Sequence, residues 1–115
     1  MIYEWTISTD TSYSASNKLP TPLKLEFGLI IELFVDFPPG PAGLHFLHIN
    51  HGLSQIFPKT KGFFHGDNRL FGFRSVEYPV FTEPYELTAF TWNDSTRFVH
   101  DVSIYINLIR MGSFV

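Results

Sequence analysis

The sequence predicts an all-β protein: an antiparallel two-sheet β-sandwich, jelly-roll-like, with about seven or eight strands and no significant helix. Residues 23–37 alternate apolar and polar side chains, which is typical of a half-buried strand because successive side chains point to opposite faces. Turn signals recur about every ten residues, and no window of eleven or more residues has apolar residues at helical spacing. Thirteen Phe and five Tyr also favour pleated surfaces.

The alternating stretch has an apolar residue at every odd position from Leu23 to Phe37. Gly28 is the natural place for a bulge or bend, so the stretch is expected to form two strand segments or one bent strand. Ile30 and Phe34 fall on the face that otherwise carries charged residues.

The boundaries of the remaining elements are predicted from Pro, Gly and polar residues, which end strands and form turns. Residues 2–8 alternate as a first strand, and residues 10–22, closed by Pro20 and Pro22, are expected to be a loop or arm. The last strand is predicted over 98–109, after a polar hairpin loop at 93–97, with Phe98 and His100 on its inner face. Further strands are expected at 44–51, 53–57, 69–78 and 85–92, a loop at 59–68 and a tail at 111–115.

One domain accounts for all 115 residues, since the chain is too short for two ordinary domains. An immunoglobulin-like sandwich is the rival architecture, although the cysteine pair typical of antibody domains is absent. The lack of cysteine also removes disulfides, thiolate metal sites and cysteine nucleophiles.

Composition limits the partners. The formal net charge of −3 disfavours nucleic-acid binding, which normally shows a basic excess. The longest apolar runs are far below the roughly 20 residues that span a bilayer, so we expect no membrane contact. The N-terminus lacks the plan of a signal peptide, and the absence of cysteine fits a cytosolic or intracellularly assembled protein, so we expect a cytoplasmic assembly.

Three histidines, His45, His48 and His51, invite a metal interpretation. On a strand, however, His48 points away from the other two, which lie about 20 Å apart at ~3.3 Å per residue. We therefore expect hydrogen-bonded or interface histidines, with no metal and no cofactor. A metal site would still be possible if the chain bends near Gly52, or if His65 or His100 approaches from elsewhere in the fold.

Candidate catalytic groups are equally dispersed. Glu26, Glu32 and Asp36 share a predicted strand face but are spaced about 13 to 20 Å apart, beyond the ~5–9.5 Å that glycoside hydrolysis needs. A set of Ser54 or Ser103 with His100 and Asp101 lacks a nucleophile elbow. We expect no enzyme activity.

The aromatic surplus is the more informative signal. Ile30, Phe34, Phe63 and Phe64 are placed where water is expected, which indicates a protein–protein contact surface, unless they pack in the core or under a loop. Trp92 and Tyr85 are candidates for stacking against a sugar ring.

The layout of the chain resembles that of small one-domain β-sandwich structural proteins of viruses and bacteriophages. The resemblance rests on an early Trp-containing strand, the Ser/Thr/Pro arm, Pro22 through Gly28 to the Phe37–Leu44 turn, Gln55–Pro58, Trp92–Asp94 and Val99–Val102. It implies a non-enzymatic, homo-oligomeric protein that decorates a shell or builds a fibre or tail.

The leading hypothesis is thus a structural protein of a virion that acts through contacts with copies of itself, as a trimer or larger, and with other capsid or virion proteins. Its contacts would use the arm with Pro20 and Pro22, together with Phe34, Phe63 and Phe64. The alternative is a carbohydrate-binding or adhesion module with Trp92 or Tyr85 as its platform. A third hypothesis is a metal-dependent enzyme of the cupin type.

Overall fold

The computed structural model describes residues 1–60 and 62–110, so the expected tail at 111–115 lies outside the described residues. The described residues form ten strands and no helix, and thus no helix able to cross a membrane. The strands are β1 (Ile2–Thr9), β2 (Leu19–Lys24), β3 (Gly28–Phe37), β4 (His45–His51), β5 (Ser54–Phe57), β6 (Phe64–His65), β7 (Arg69–Phe73), β8 (Tyr78–Val80), β9 (Glu86–Asn93) and β10 (His100–Arg110).

These strands pair into two antiparallel five-stranded sheets. The first sheet has the order β1-β10-β3-β7, with β8 also paired to β3, and the second has the order β2-β9-β4-β5, with β6 also paired to β4. The two ends of the chain meet, because β1 lies beside β10 in the first sheet and β2 lies beside β9 in the second. This is the strand order of a jelly roll, and the predicted fold class is confirmed. The strand number exceeds the expected seven or eight because β6 and β8 are short segments.

The alternating stretch forms two strand segments, which confirms one of the two expectations, and not one bent strand. Strand β2 belongs to the second sheet and β3 to the first, and the chain crosses between them at residues 25–27. Gly28 begins β3 where a Cβ would lie 2.4 Å from the carbonyl oxygen of Ile109, so only glycine fits this approach without a shift. The bend at Gly28 is therefore a place of close backbone contact.

The expected loop or arm at 10–22 is wrong at its last four residues. Leu19 to Pro22 belong to β2, which pairs with β9 along its whole length. Prolines are tolerated there because β2 is an edge strand, where a missing N–H removes no bond if it faces outward. Residues 10–18 remain a connection with turns and one isolated bridge between Ser14 and Asn17.

A β-bulge in β3 changes which side chains face the core. Asn107 pairs with Glu32, but Leu108 pairs with Ile30, so Ile31 is an extra residue opposite β10. The extra residue reverses the alternation of buried and outward side chains on its N-terminal side, so the even-numbered Ile30 is buried together with the odd-numbered Leu33. The expectation that Ile30 lies on the charged face is therefore wrong.

The core lies between the two sheets, and β10 supplies its clearest row. Val102, Ile104, Ile106 and Leu108 are fully buried as predicted, and His100 is buried in the same register. Phe98 is wrongly placed by the sequence analysis, because β10 begins at His100 and Phe98 is 64% exposed. Residues 93–97 do not form a hairpin either, since β9 and β10 belong to different sheets.

Candidate functional site

A buried polar cluster joins the two sheets at one end of the sandwich. Thr9 of the first sheet donates a hydrogen bond through Oγ1 to Thr91 Oγ1 of the second, at 2.8 Å. Because that hydroxyl proton is used, Thr9 Oγ1 accepts from His45 Nε2, 2.9 Å away. The chain from His45 through Thr9 to Thr91 ties β1, β4 and β9 together.

Asn93 extends this cluster into the adjoining loops. Its side-chain amide donates to the carbonyl oxygens of Thr9 and Phe98, at 2.9 and 2.7 Å. Its Oδ1 accepts from the backbone N–H of Ser95 at 2.8 Å. One buried side chain thus fixes the start of the β9–β10 connection.

His45 is the titratable group of the cluster with the most perturbed environment. Burial lowers its pKa from 6.5 to about 4, with the nearby His100 acting in the same direction and Asp101 opposing it. Its Nδ1 is buried without a hydrogen-bond partner. A neutral imidazole beside a threonine hydroxyl resembles a base and a nucleophile, but both residues are fully buried, so a substrate cannot reach them. The arrangement serves to join the sheets.

A second cluster lies on the outer face of the second sheet, and we term it the outer aromatic cluster. It consists of Phe46, Phe63, Phe90 and Trp92 with His48, His65 and Lys18. The Trp92 ring stacks on that of Phe46, with centroids 5.1 Å apart, and Lys18 Nζ lies 4.8 Å from the Trp92 ring centroid. Phe63 contacts both rings edge-on.

His48 has a defined tautomer in this cluster. Lys18 can only donate, so the 3.1 Å contact between its Nζ and His48 Nε2 makes that nitrogen the acceptor. The proton is then on Nδ1, which donates to Asn50 Oδ1 at 2.8 Å. The pKa of His48 is lowered, chiefly by burial.

The two predicted stacking residues are not exposed platforms. Trp92 is only 3% exposed because Phe46, Phe63 and Lys18 surround its ring. Tyr85 is half-buried, packs against the core and meets Phe27 edge-on. Little of the Trp92 ring is therefore exposed for stacking against a sugar, which weighs against Trp92 as the platform of the carbohydrate-binding alternative.

The residues predicted to form a contact surface are divided by the structure. Phe64 is a core residue, 7% exposed, so its predicted exposure is wrong in the same way as that of Ile30. Phe63 is 46% exposed at the rim of the outer aromatic cluster. Phe34 is half-buried beneath the guanidinium of Arg74, 5.3 Å from its ring centroid. Pro20 and Pro22 are exposed at the sheet edge.

The structure separates the three histidines of β4. His45 faces the core, His48 lies on the outer face as predicted, and His51 Nδ1 contacts the hydroxyl of Tyr78. The described residues contain no group of three or more side chains placed to hold a metal ion.

The carboxylates of the alternating stretch are also separated. Glu26 pairs with Arg110 at 2.7 Å, and Glu32 pairs with Arg74 at 3.4 Å. Glu32 also accepts from Asn107 Nδ2 at 2.9 Å. Glu26 and Glu32 thus each have a structural partner of their own.

An apolar cleft of about 380 Å³ opens between the sheets on the side formed by β5 and β7. It is lined by Ile56, Phe57, Pro58, Lys59, Phe64, Phe73 and Val76. Among the described residues of this lining Lys59 alone is charged, so they offer apolar contact and no pair of groups for acid–base chemistry.

Three exposed apolar residues lie on segments that meet at the end that holds the buried polar cluster, and we term them the end patch: Leu44, Phe98 and Val99. Phe98 and Val99 are 64% and 59% exposed. Their segments are close because the carbonyl of Leu44 accepts from Asp94 and that of Phe98 from Asn93. The patch was not predicted because Phe98 was assigned to the last strand, whereas the loop predicted at 93–97 continues to Val99.

No family model matches this chain, and no curated protein sequence is significantly similar to it.

Proposed function

We propose that this chain is a non-enzymatic structural protein that works by assembling with copies of itself, as a decoration, fibre or tail component of a virus or bacteriophage particle. The observation that carries the proposal is the end patch, where Leu44, Phe98 and Val99 expose apolar side chains beside a rigidly held loop. Exposed apolar groups grouped at one site mark contact surfaces.

Two further features support assembly over catalysis. The imidazole and hydroxyl groups of the buried polar cluster bond to each other and lack solvent access. The outer aromatic cluster encloses its own Trp92, so that little of the Trp92 ring is left for a small ligand.

The viral part of the proposal rests on the layout resemblance and on the jelly roll itself. Viral capsid domains commonly use this fold, as do lectins and cupins. Because fold does not fix function, the choice among these classes rests on the sites, and they favour contact surfaces.

The test is a variant carrying Phe98→Ser and Val99→Ser, compared with wild type by light scattering. We expect the dissociation constant of the assembly to rise roughly ten-fold or more, since truncated interface aromatics commonly cost above about 1.4 kcal/mol. The free energy of unfolding should change little, because both side chains are exposed.

The matched control is Leu53→Ser, which removes a fully exposed apolar side chain in the β4–β5 turn, away from the end patch. It should leave the mass unchanged. An unaltered assembly in the Phe98→Ser, Val99→Ser variant would refute the role of the end patch.

A further inference from the structure

Strand β1 has one free edge, and the hydrogen bonds at its start show which backbone groups lie on it. Met1 and Leu108 exchange two bonds, from Met1 N to Leu108 O at 2.9 Å and from Leu108 N to Met1 O at 2.8 Å. The ladder with β10 then runs without a bulge to Thr9. Because bonded and non-bonded pairs alternate in an antiparallel ladder, the odd residues of β1 bond to β10.

The even residues therefore direct their N–H and C=O groups outward. These residues are Ile2, Glu4, Thr6 and Ser8, and all four side chains are exposed on the outer face of the first sheet. Strand β1 is the last strand of its sheet on this side, and within the described chain β10 is the only strand that pairs with it. Eight residues without proline or glycine form an unusually complete template for another strand.

The neighbouring edge, β2 in the second sheet, is protected. Leu25 N donates to Tyr85 O at 2.8 Å, which continues the β2–β9 register. The backbone groups of the odd residues of β2 therefore bond to β9, and those of the even residues point away from the sheet edge. Two of its three outward positions are Pro20 and Pro22, which have no N–H to offer. Of these two edges on one side of the sandwich, one is blocked and the other is open.

We propose that the free edge of β1 is a docking site for β1 of a second copy of this chain, paired antiparallel about a two-fold axis. This inference deepens the proposed function, on which it rests, by naming a second contact that is separate from the end patch. The two first sheets become one continuous sheet, and the contact is self-complementary, as a two-fold interface requires.

The outward residues and their charge select the register. Hydrogen-bonded pairs across the contact must join an even residue of one copy to an even residue of the other. All four even residues are paired when Ile2 lies opposite Ser8 of the second copy and Glu4 lies opposite Thr6 of the second copy. The two-fold axis repeats both pairs, so there are four in all. This register satisfies two hydrogen bonds in each of the four residue pairs. A shift by two residues in one direction would set Glu4 against Glu4 of the second copy, which is a destabilising like-charge pair. A shift by two residues in the other direction would leave Ile2 without a partner.

This register also places aromatic surface at the two-fold axis. Trp5 lies directly opposite Trp5 of the second copy, in a non-hydrogen-bonded pair where side chains approach most closely. Tyr3 lies opposite Ile7 of the second copy. Tyr3 and Trp5 are half-buried and stacked on each other, with centroids 5.9 Å apart, so the aromatic row of β1 continues across the interface.

Cysteine cross-linking tests the register directly, because the chain has no cysteine of its own. We would prepare Glu4→Cys and Thr6→Cys, each with a distinct mass tag, and oxidise them alone and mixed. The proposed register puts residue 4 about 5.5 Å from residue 6 of the second copy, within disulfide reach, whereas like positions lie ~7–8 Å apart diagonally. We expect the mixed disulfide to exceed either homodimeric disulfide several-fold.

Other cross-linking results overturn the proposal. A disulfide formed by Glu4→Cys alone or by Thr6→Cys alone indicates a different register. The absence of any cross-link, at concentrations where the wild type is oligomeric, means that β1 does not dock.

Thr6→Pro tests the backbone contribution. The proline removes an outward N–H that makes no bond to β10, so the subunit should fold, as circular dichroism would verify. Thr6→Ala is the matched control, because it removes the same side chain and keeps the N–H. We expect Thr6→Pro to reduce the solution mass to half or less and Thr6→Ala to keep it.

Retention of the wild-type mass by Thr6→Pro would overturn the β1 contact while leaving assembly through the end patch intact. A wild type that stays monomeric would overturn both proposals. These outcomes separate a failure of this inference from a failure of the proposed function.

Discussion

At the scale of single residues, His45 shows how a polar side chain is accommodated in an apolar core. Its Nε2–H is used by Thr9, and Thr9 in turn bonds Thr91 across the sheets. The imidazole is therefore held neutral, and burial lowers its pKa to about 4. Protonation would place a charge where water cannot solvate it.

This predicts acid sensitivity with a defined direction. The unfolded chain binds a proton at His45 near pH 6.5 and the folded chain only near pH 4, so the free energy of unfolding falls as the pH drops between these values. The contribution of His45 to this free energy should be constant above this window and level off below it, with a loss of up to about 3 kcal/mol. His48, whose pKa is also lowered, adds in the same direction.

Urea denaturation at several pH values from 7 to 4 would measure this loss. A His45→Gln variant should lose most of the slope while keeping a polar partner for Thr9. Parallel slopes in variant and wild type would contradict the assignment to His45.

At the scale of elements, the two edges formed by β1 and β2 differ in their capacity to bind another strand. Pro20 and Pro22 occupy outward positions of β2, and removing them would open that edge. We expect a Pro20→Thr, Pro22→Thr variant to form larger and more polydisperse species than wild type. The N–H groups it regains face solvent and can pair with any free strand.

Dynamic light scattering at matched concentrations would measure this, with Pro39→Thr, in the turn before β4, as the control. A double variant with wild-type dispersity would show that the prolines do not protect β2.

Strand β3 shows what alternation alone can and cannot predict. The strand itself, its burial of Leu33, Val35 and Phe37, and the bend at Gly28 followed from the sequence. The bulge at Ile31 did not, because it is defined by the pairing with β10, which one strand's own pattern does not contain. The side of Ile30 was misjudged for this reason.

Side-chain cover explains the other errors. Phe64 follows a Pro- and Gly-rich loop and was predicted to be exposed, but two residues of pairing with β4 bury it. Trp92 was a candidate for stacking against a sugar, yet Phe63 and Lys18 cover its ring. Such cover comes from segments distant in sequence, so a local pattern cannot indicate it.

At the scale of the whole molecule, the jelly roll followed from many short strands and from the Pro/Gly turns between them. The elongated sandwich measures 54 × 25 × 23 Å, with the free edge of β1 along its length and the end patch at one end. An edge and an end are different surfaces, so one subunit can contact two neighbours at once. That geometry is what the proposed assembly requires.

The most direct test of assembly is the mass of the wild-type protein by multi-angle light scattering, from about 1 to about 100 µM, a range that covers contacts of moderate affinity. We expect a mass that rises with concentration from the 13.3 kDa subunit to a dimer or a larger species. A mass of 13.3 kDa at every concentration would contradict the account, because neither the end patch nor the edge of β1 would then bind a second copy.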